Sequence, residues 1–290
     1  MNILYYGVFD GRKWRAEYPM AEGLAALGHT LFRSNFRSRL PWRIQSDWKK
    51  YRAQTDLIFI QNGIPFDPRH LESFDKPLVY MASEANLQSQ QHLLEGTRPP
   101  DFVIAHSQQT YDWCQAHHLP SQRLHNAFNS HFYKRLDVPF QYDLCFIGGL
   151  SPRRVRILNL LKEKKYNLFV SQSWRPEQVN LIYNQSRLSL HIHAIDETYL
   201  PTRLFEVMPT QSCFLVEDMG KNDDPVVGKG FESWSNEADL LEKIDFLLAR
   251  PAAREEKVNL ANAIAPLHDW GARMREFDVI FQHVLERSQA

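Results

Sequence analysis

The chain reads as short apolar runs separated by amphipathic stretches. NILYY at 2–6 predicts a buried strand that stops at Gly7. Residues 18–27 place Met20, Leu24 and Leu27 at helical spacing, and Gly28 stands where a helix would end. Residues 29–33 predict a second strand; DLIFIQ at 56–61, PLVYM at 77–81 and DFVIAH at 101–106 predict three more. The rhythm restarts after Pro139. YDLCFI at 142–147 runs into Gly148-Gly149, a helix is expected over 153–162, and strands over 166–170 and 188–193. A short helix at 204–208 leads into a strand at 213–216, and helices follow at 238–248, 255–264 and 271–285. Strand–helix alternation run twice predicts an α/β protein whose two halves each hold a parallel sheet covered on both faces. The expected division is 1–140, 141–270 and a closing helix over 271–290, with the break at 137–141.

Length and composition sharpen this. A chain of 290 residues is long enough for two cores. With 43% hydrophobic and 12% aromatic residues it is not a disordered polymer. The 34 basic and 34 acidic side chains cancel, which argues against a general nucleic-acid coat. The balance is local, however: residues 12–52 carry ten basic and three acidic side chains. Such a run is either a solvated face or an attractor for an anionic partner. Cys114, Cys145 and Cys213 are far apart and show no CxxC spacing, so neither a zinc site nor a disulfide frame is expected. The N-terminus has no basic leader region and is broken by Gly7 and Asp10, and no apolar run reaches the ~18–20 residues of a membrane span. The expected location is cytoplasmic.

Ligands of open parallel sheets bind beyond the carboxyl ends of the strands. Gly7 follows the first strand of one half and Gly148-Gly149 the first strand of the other; neither loop is a GxGxxG or a GxxxxGK. Gly7, Asp10, Gly11 and Arg12 belong to the loop after the first strand. Asp10 is a candidate general base or hydroxyl ligand, although an Asp before Gly serves a turn equally well. Glu84 and His106 end or follow strands and are further catalytic candidates. His191 and His193 alternate on one strand without a third metal ligand, and Trp174 could stack on a base. In YLPTRLFEVMPTQSCFLVED, Thr202 opens a short helix on which Arg203 and Glu206, three apart, share a face. An arginine can pair with a diphosphate bidentately, and a carboxylate can accept the vicinal hydroxyls of a ribose. The competing reading is a surface ion pair worth at most ~0.5 kcal/mol.

Seven segments, taken in order, resemble the GT-B glycosyltransferases and, within them, the CgeB-like (spore-maturation-protein) group of family-one-type transferases. They are AEGLAALGHTLFR, TDLIFIQNG, DKPLVYMASEA, PDFVIAHSQQTYDW, YDLCFIGGLSPRRVRILNLL, PTRLFEVMPTQSCFLVED and PLHDWGARMREF. The resemblance implies two Rossmann-like domains facing across a cleft, with a UDP- or GDP-sugar held by the second and a hydroxyl acceptor met by the first. It would place the loop of Gly7, Asp10, Gly11 and Arg12 on the acceptor side. Under it, Glu206 takes the donor ribose, Arg203 with Arg153 or Arg154 neutralises the diphosphate, and Gly148 and Gly149 pass close beneath it. No cofactor or metal is expected, since arginines and backbone dipoles can stabilise the leaving group. Asp223-Asp224, the one adjacent aspartate pair, precedes Pro225 and reads as a surface turn. Two departures stand out. Pro209-Thr210-Gln211-Ser212 replaces the family's small-residue stretch, and Glu197 is one step off the family's first glutamate. Two alternatives stay open: a transferase directed to DNA or another polymer through the basic 12–52 face, and a non-catalytic nucleotide-sugar-binding protein. The acceptor is a glycan, a small molecule or a modified nucleic acid.

Overall fold

The computed structural model describes residues 1–37, 42–64, 66–84, 86–173, 175–193, 200–218 and 228–289. The chain forms two compact units, 1–125 with 270–290, and 126–269. The division therefore falls earlier than the 140/141 break expected from sequence. The reason lies in side-chain amides of the second unit. Asn180 Oδ1 accepts the Lys134 N–H at 3.1 Å, Asn184 Oδ1 accepts the Leu136 N–H at 3.0 Å, and Gln211 Nε2 donates to the Val138 carbonyl at 2.7 Å.

Unit 1 runs β1 (Asn2–Gly7), α1 (Glu17–Ala26), β2 (Thr30–Asn35), α2 (Arg43–Tyr51), β3 (Leu57–Gln61), β4 (Leu78–Ala82), α3 (Gln91–Leu94), β5 (Phe102–Ala105), α4 (Gln108–Ala116) and β6 (Ser121–Arg123). The strands form one parallel sheet in the order β2-β1-β3-β4-β5-β6. Because both faces are covered, β1 is apolar at consecutive positions, and Ile3, Leu4, Tyr5 and Tyr6 are all inaccessible. Leu4, Tyr6, Ile58, Ile60 and Tyr80 pack under Trp48 of α2 on one face. Unit 2 runs β7 (Tyr142–Ile147), α5 (Pro152–Glu163), β8 (Leu168–Ser171), α6 (Pro176–Asn184), β9 (Ser186–His191), α7 (Thr202–Val207), β10 (Cys213–Glu217), β11 (Phe231–Trp234), α8 (Glu237–Ala249) and α9 (Pro251–Ile264). Its parallel sheet has the order β11-β10-β9-β7-β8. Leu144, Phe146 and Leu190 face α5 and α8, while Cys145, Phe214 and Val216 face α6 and α7. The chain then returns to unit 1 as α10 (Trp270–Gln289), whose Phe277 and Phe281 lie edge-on or tilted against Phe59 of β3.

Each sheet reverses direction beside its first strand, between β1 and β3 and between β7 and β9. Those reversals open the crevices that bind ligands in such sheets. All three cysteines are free and buried.

Candidate functional site

In unit 2 the crevice lies where β7 and β9 end. Ser151 caps α5, its Oγ accepting the Arg154 N–H, and Pro152 supplies the first helical residue. The first turn of α5 thus presents backbone N–H groups next to Gly148-Gly149, an arrangement suited to an anion. A side chain at Gly149 would meet nothing within 4 Å, so the backbone there is open to a ligand. The two candidate arginines are already engaged. Arg154 donates from Nε and Nη2 to the Ile192 carbonyl at 2.9 and 2.6 Å and from Nη1 to the Gly149 carbonyl at 3.1 Å, with its guanidinium over the Phe146 ring. It ties the β7 loop to the end of β9. Arg153 forms a two-point ion pair with Glu217 and also reaches the His193 carbonyl. Glu217 in turn accepts the His193 N–H at 2.8 Å.

Arg203 and Glu206 come together as α7 intends, with Nη1 to Oε2 at 2.7 Å and side chains only 13% and 14% exposed. The pair is therefore buried, unlike the surface pair that was its competing reading. Tyr183 of α6 lies 3.4 Å from Arg203 Nη1, and Tyr133 lies against Glu206. Burial alone would lower the Arg203 pKa, but Glu206, Tyr183 and Tyr133 outweigh it and hold the guanidinium charged. Burial and Glu206 push the Tyr133 phenol well up, so it stays a hydrogen-bond donor. Thr202 Oγ1 accepts from Asn126 Nδ2 at 2.7 Å and fixes the start of α7. Sequence reasoning did not identify Tyr133, Tyr183 or Asn126; each is an ordinary-looking residue remote in sequence from α7.

In unit 1 the three catalytic candidates fare differently. Asp10 is exposed and closes a turn: its Oδ1 accepts the Arg12 N–H at 3.2 Å, and both oxygens accept from Arg15 Nε at 3.1–3.2 Å. Arg12 lies 3.6 Å from the same carboxylate. Gly11 adopts φ +87° and donates to Tyr18 Oη at 2.6 Å. At Gly7 a Cβ would stand 2.9 Å from Glu17 Cγ. That contact exposes a carboxyl which sequence reasoning did not single out. Glu17, in the first turn of α1, is buried and accepts the Val8 N–H; burial raises its pKa against that hydrogen bond and the charges of Arg15 and Arg37. His106 is inaccessible at the end of β5; burial, Arg273 and His125 lower its pKa to about 3. An imidazole that holds a proton so weakly is a poor general base at neutral pH. Glu84 is half-buried beyond β4 and accepts from Asn62 Nδ2.

Among the described residues no three His, Cys, Asp or Glu side chains gather as metal ligands. The rings of His191 and His193 lie 5.2 Å apart, and His193 Nε2 lies 3.1 Å from the Asp218 carbonyl. Trp174, Glu197 and the Asp223-Asp224 pair lie outside the described residues. No described helix is long and apolar enough to cross a membrane.

Residues 153–278 match the family model described as Glycosyl transferase-like. No curated protein sequence matches the chain. Sucrose-phosphate synthase from Thermosynechococcus elongatus is similar in structure, with TM-score 0.72, 13% identity and coverage of 99% of this chain and 100% of that one. HepE from Anabaena, solved with UDP and glucose, gives 0.70 at 13% identity over 98% and 100%. The DNA modifying enzyme β-glucosyltransferase, solved with and without uridine diphosphoglucose, gives 0.65 at 11% identity over 99% and 100%. Two parallel α/β sheets, matched along nearly the whole chain, give the protein the fold of these GT-B glycosyltransferase structures, and the similarity to the glycosyl transferase-like family falls on residues 153–278.

Proposed function

We propose that the protein moves a sugar from a nucleoside-diphosphate donor, of UDP or GDP type, to a hydroxyl acceptor without a metal. The observation that carries the reading is the family match at 153–278, which contains Arg153, Arg154, Thr202, Arg203 and Glu206. The order of the sequence motifs supports a place in the CgeB-like group. HepE and the β-glucosyltransferase bind uridine nucleotides, which favours UDP. On unit 2, Glu206 receives the ribose hydroxyls while Arg203 holds its carboxylate in place. The diphosphate lies over Gly148-Gly149 and the first turn of α5. On unit 1, Glu84 is the general base. The acceptor oxygen forms a bond to the anomeric carbon and its proton passes to Glu84. The anomeric carbon–oxygen bond breaks, and the nucleoside diphosphate leaves with the electron pair.

The test is Glu206→Ala with UDP and GDP titrated calorimetrically. A loss of affinity for one of them is expected; unchanged affinity for both overturns the donor site. Binding without transfer or donor hydrolysis in the wild-type chain would instead identify a non-catalytic nucleotide-sugar binder.

One observation favours a polymeric, anionic acceptor such as DNA. Trp14 and Trp42 are 48% and 63% exposed on the loops after β1 and β2. In the same 12–52 stretch, Lys13, Arg33, Arg37, Lys49 and Lys50 are exposed and form no ion pair among the described residues. Under this second reading acceptor binding weakens steeply with salt. A flat salt response removes it.

A further inference from the structure

The loop after β3 is shaped around Glu84. Asn62 and Gly63 both adopt φ +65°. Glycine enters that left-handed region freely; a side-chain-bearing residue is held there by its surroundings. Four contacts hold Asn62. Its N–H donates to the Met81 carbonyl at 3.0 Å, and its carbonyl accepts from Tyr80 Oη at 2.7 Å. Its Oδ1 accepts the Ile64 N–H at 3.3 Å, which fixes the amide so that Nδ2 faces Glu84 Oε1. The fourth contact is that bond to Glu84.

Gln90 acts on the same residue from the other side. It is completely buried, and its amide lies along the Glu84 backbone. Its Oε1 accepts the Glu84 N–H at 3.1 Å, and its Nε2 donates to the Glu84 carbonyl at 3.0 Å. Two amides from separate loops thus fix one carboxylate, Asn62 by an oxygen and Gln90 by the main chain. Oε1 is engaged by Asn62, and among the described residues Oε2 accepts no hydrogen bond.

We propose that Asn62 and Gln90 are positioning residues that hold Glu84 with Oε2 presented to the acceptor hydroxyl. This rests on the reading of Glu84 as general base. Misplacing a catalytic group by about 1 Å costs on the order of a hundredfold in rate. Removal of the Asn62 amide therefore lowers kcat and leaves donor binding alone.

Asn62→Gly is the discriminating variant, because glycine adopts the native φ without strain and deletes only the side chain. The readout is UDP release from UDP-glucose with water as acceptor, measured across pH together with the melting temperature. The expected result is a melting temperature only a few degrees below wild type, so that the chain stays folded at the assay temperature, with kcat lower by about 10- to 100-fold and an unchanged KM for UDP-glucose. Asn62→Asp puts a like charge against Glu84 and moves the acid limb of the pH–rate profile upward by about one unit. Wild-type kcat and pH profile in both variants overturn the proposal, as does a rate loss that merely tracks a lowered melting temperature. Glu84→Gln separates the two ideas. If it retains activity, the general base is elsewhere; if it is inactive while Asn62→Gly is fully active, only the positioning role falls.

Discussion

Replacing Arg203 by methionine tests the buried pair of unit 2. Methionine keeps much of the side-chain volume and removes the charge. Glu206 would then keep its carboxylate in a site only 14% exposed, beside Tyr133 and without its 2.7 Å cation. Breaking a fully buried pair costs about 3–5 kcal/mol. The residual exposure of both side chains lets water enter and reduces this to about 2–3 kcal/mol. The corresponding fall in Tm is about 4–8 °C, the larger value applying if unit 2 unfolds independently of unit 1. The double variant Arg203→Met with Glu206→Leu removes both charges and lies within about 1 kcal/mol of wild type, because a buried ion pair and an apolar pair of similar volume are close in free energy. Urea denaturation of wild type, both single variants and the double variant closes the cycle. A coupling below about 0.5 kcal/mol would mean that the pair behaves as a solvated surface contact, and the reasoning from burial would be wrong.

The remaining expectations follow from single contacts. His106 binds its proton only near pH 3 in the folded chain and near 6.5 when unfolded, so the unfolded state takes up a proton first. Stability present above pH 6.5 is therefore lost on acidification towards pH 3, by about 1.4 kcal/mol per pH unit, and His106→Leu flattens that dependence in denaturation curves. Gly230→Ala sets a Cβ 2.8 Å from the Ala261 Cα, a helix backbone that cannot swing away, and costs about 1–3 kcal/mol by urea denaturation. Gly149→Ala meets no protein atom and leaves stability within about 0.5 kcal/mol, yet it weakens UDP binding if the donor lies against that backbone. Arg154→Ala lowers stability by about 1–3 kcal/mol, since two carbonyls lose a charged donor, and Arg153→Ala costs about 1–2 kcal/mol, because the exposed arginine screens its own loss while Glu217, 13% exposed, is left without a cation.

Most strands could be read from the chain because a parallel strand covered on both faces is apolar at every position. LIFIQ in β3 and LVYMA in β4 are fully buried and carry no competing pattern. The segments that escaped prediction follow other rules. β6, SQR, is a polar edge strand ordered by pairing with β5, and α2 buries only Ile44 and Trp48 among its nine residues. Residues 126–140 show no domain signal, because what binds them to unit 2 is the side-chain chemistry of Asn180, Asn184 and Gln211 far along the sequence. The site followed the same division. Arg203 and Glu206 were legible because helical spacing alone brings i and i+3 together. Glu17, Asn62, Gln90 and Tyr133 were not, since their surroundings come from other elements or from a left-handed turn that Asn62 adopts only in the folded chain.

The contacts of the arginines also bear on how a diphosphate could be held. The family resemblance casts Arg203, with Arg153 or Arg154, as the cations for the diphosphate. In the folded chain Arg203 is neutralised by Glu206, Arg153 by Glu217, and Arg154 is occupied by the Ile192 and Gly149 carbonyls. Recruiting Arg203 to a phosphate would leave Glu206, 14% exposed, without its cation, and recruiting Arg153 would leave Glu217, 13% exposed, without its own. Arg153 is the more exposed of the two cations, at 44%, so its side chain has the more room to move, but its departure strands a carboxylate just as enclosed. A donor on unit 2 would therefore be held mainly by backbone N–H groups at the Gly148-Gly149 turn and the first turn of α5, which break no ion pair to receive it. Such a site needs no excess of positive charge, and it is compatible with a chain whose 34 basic and 34 acidic side chains cancel.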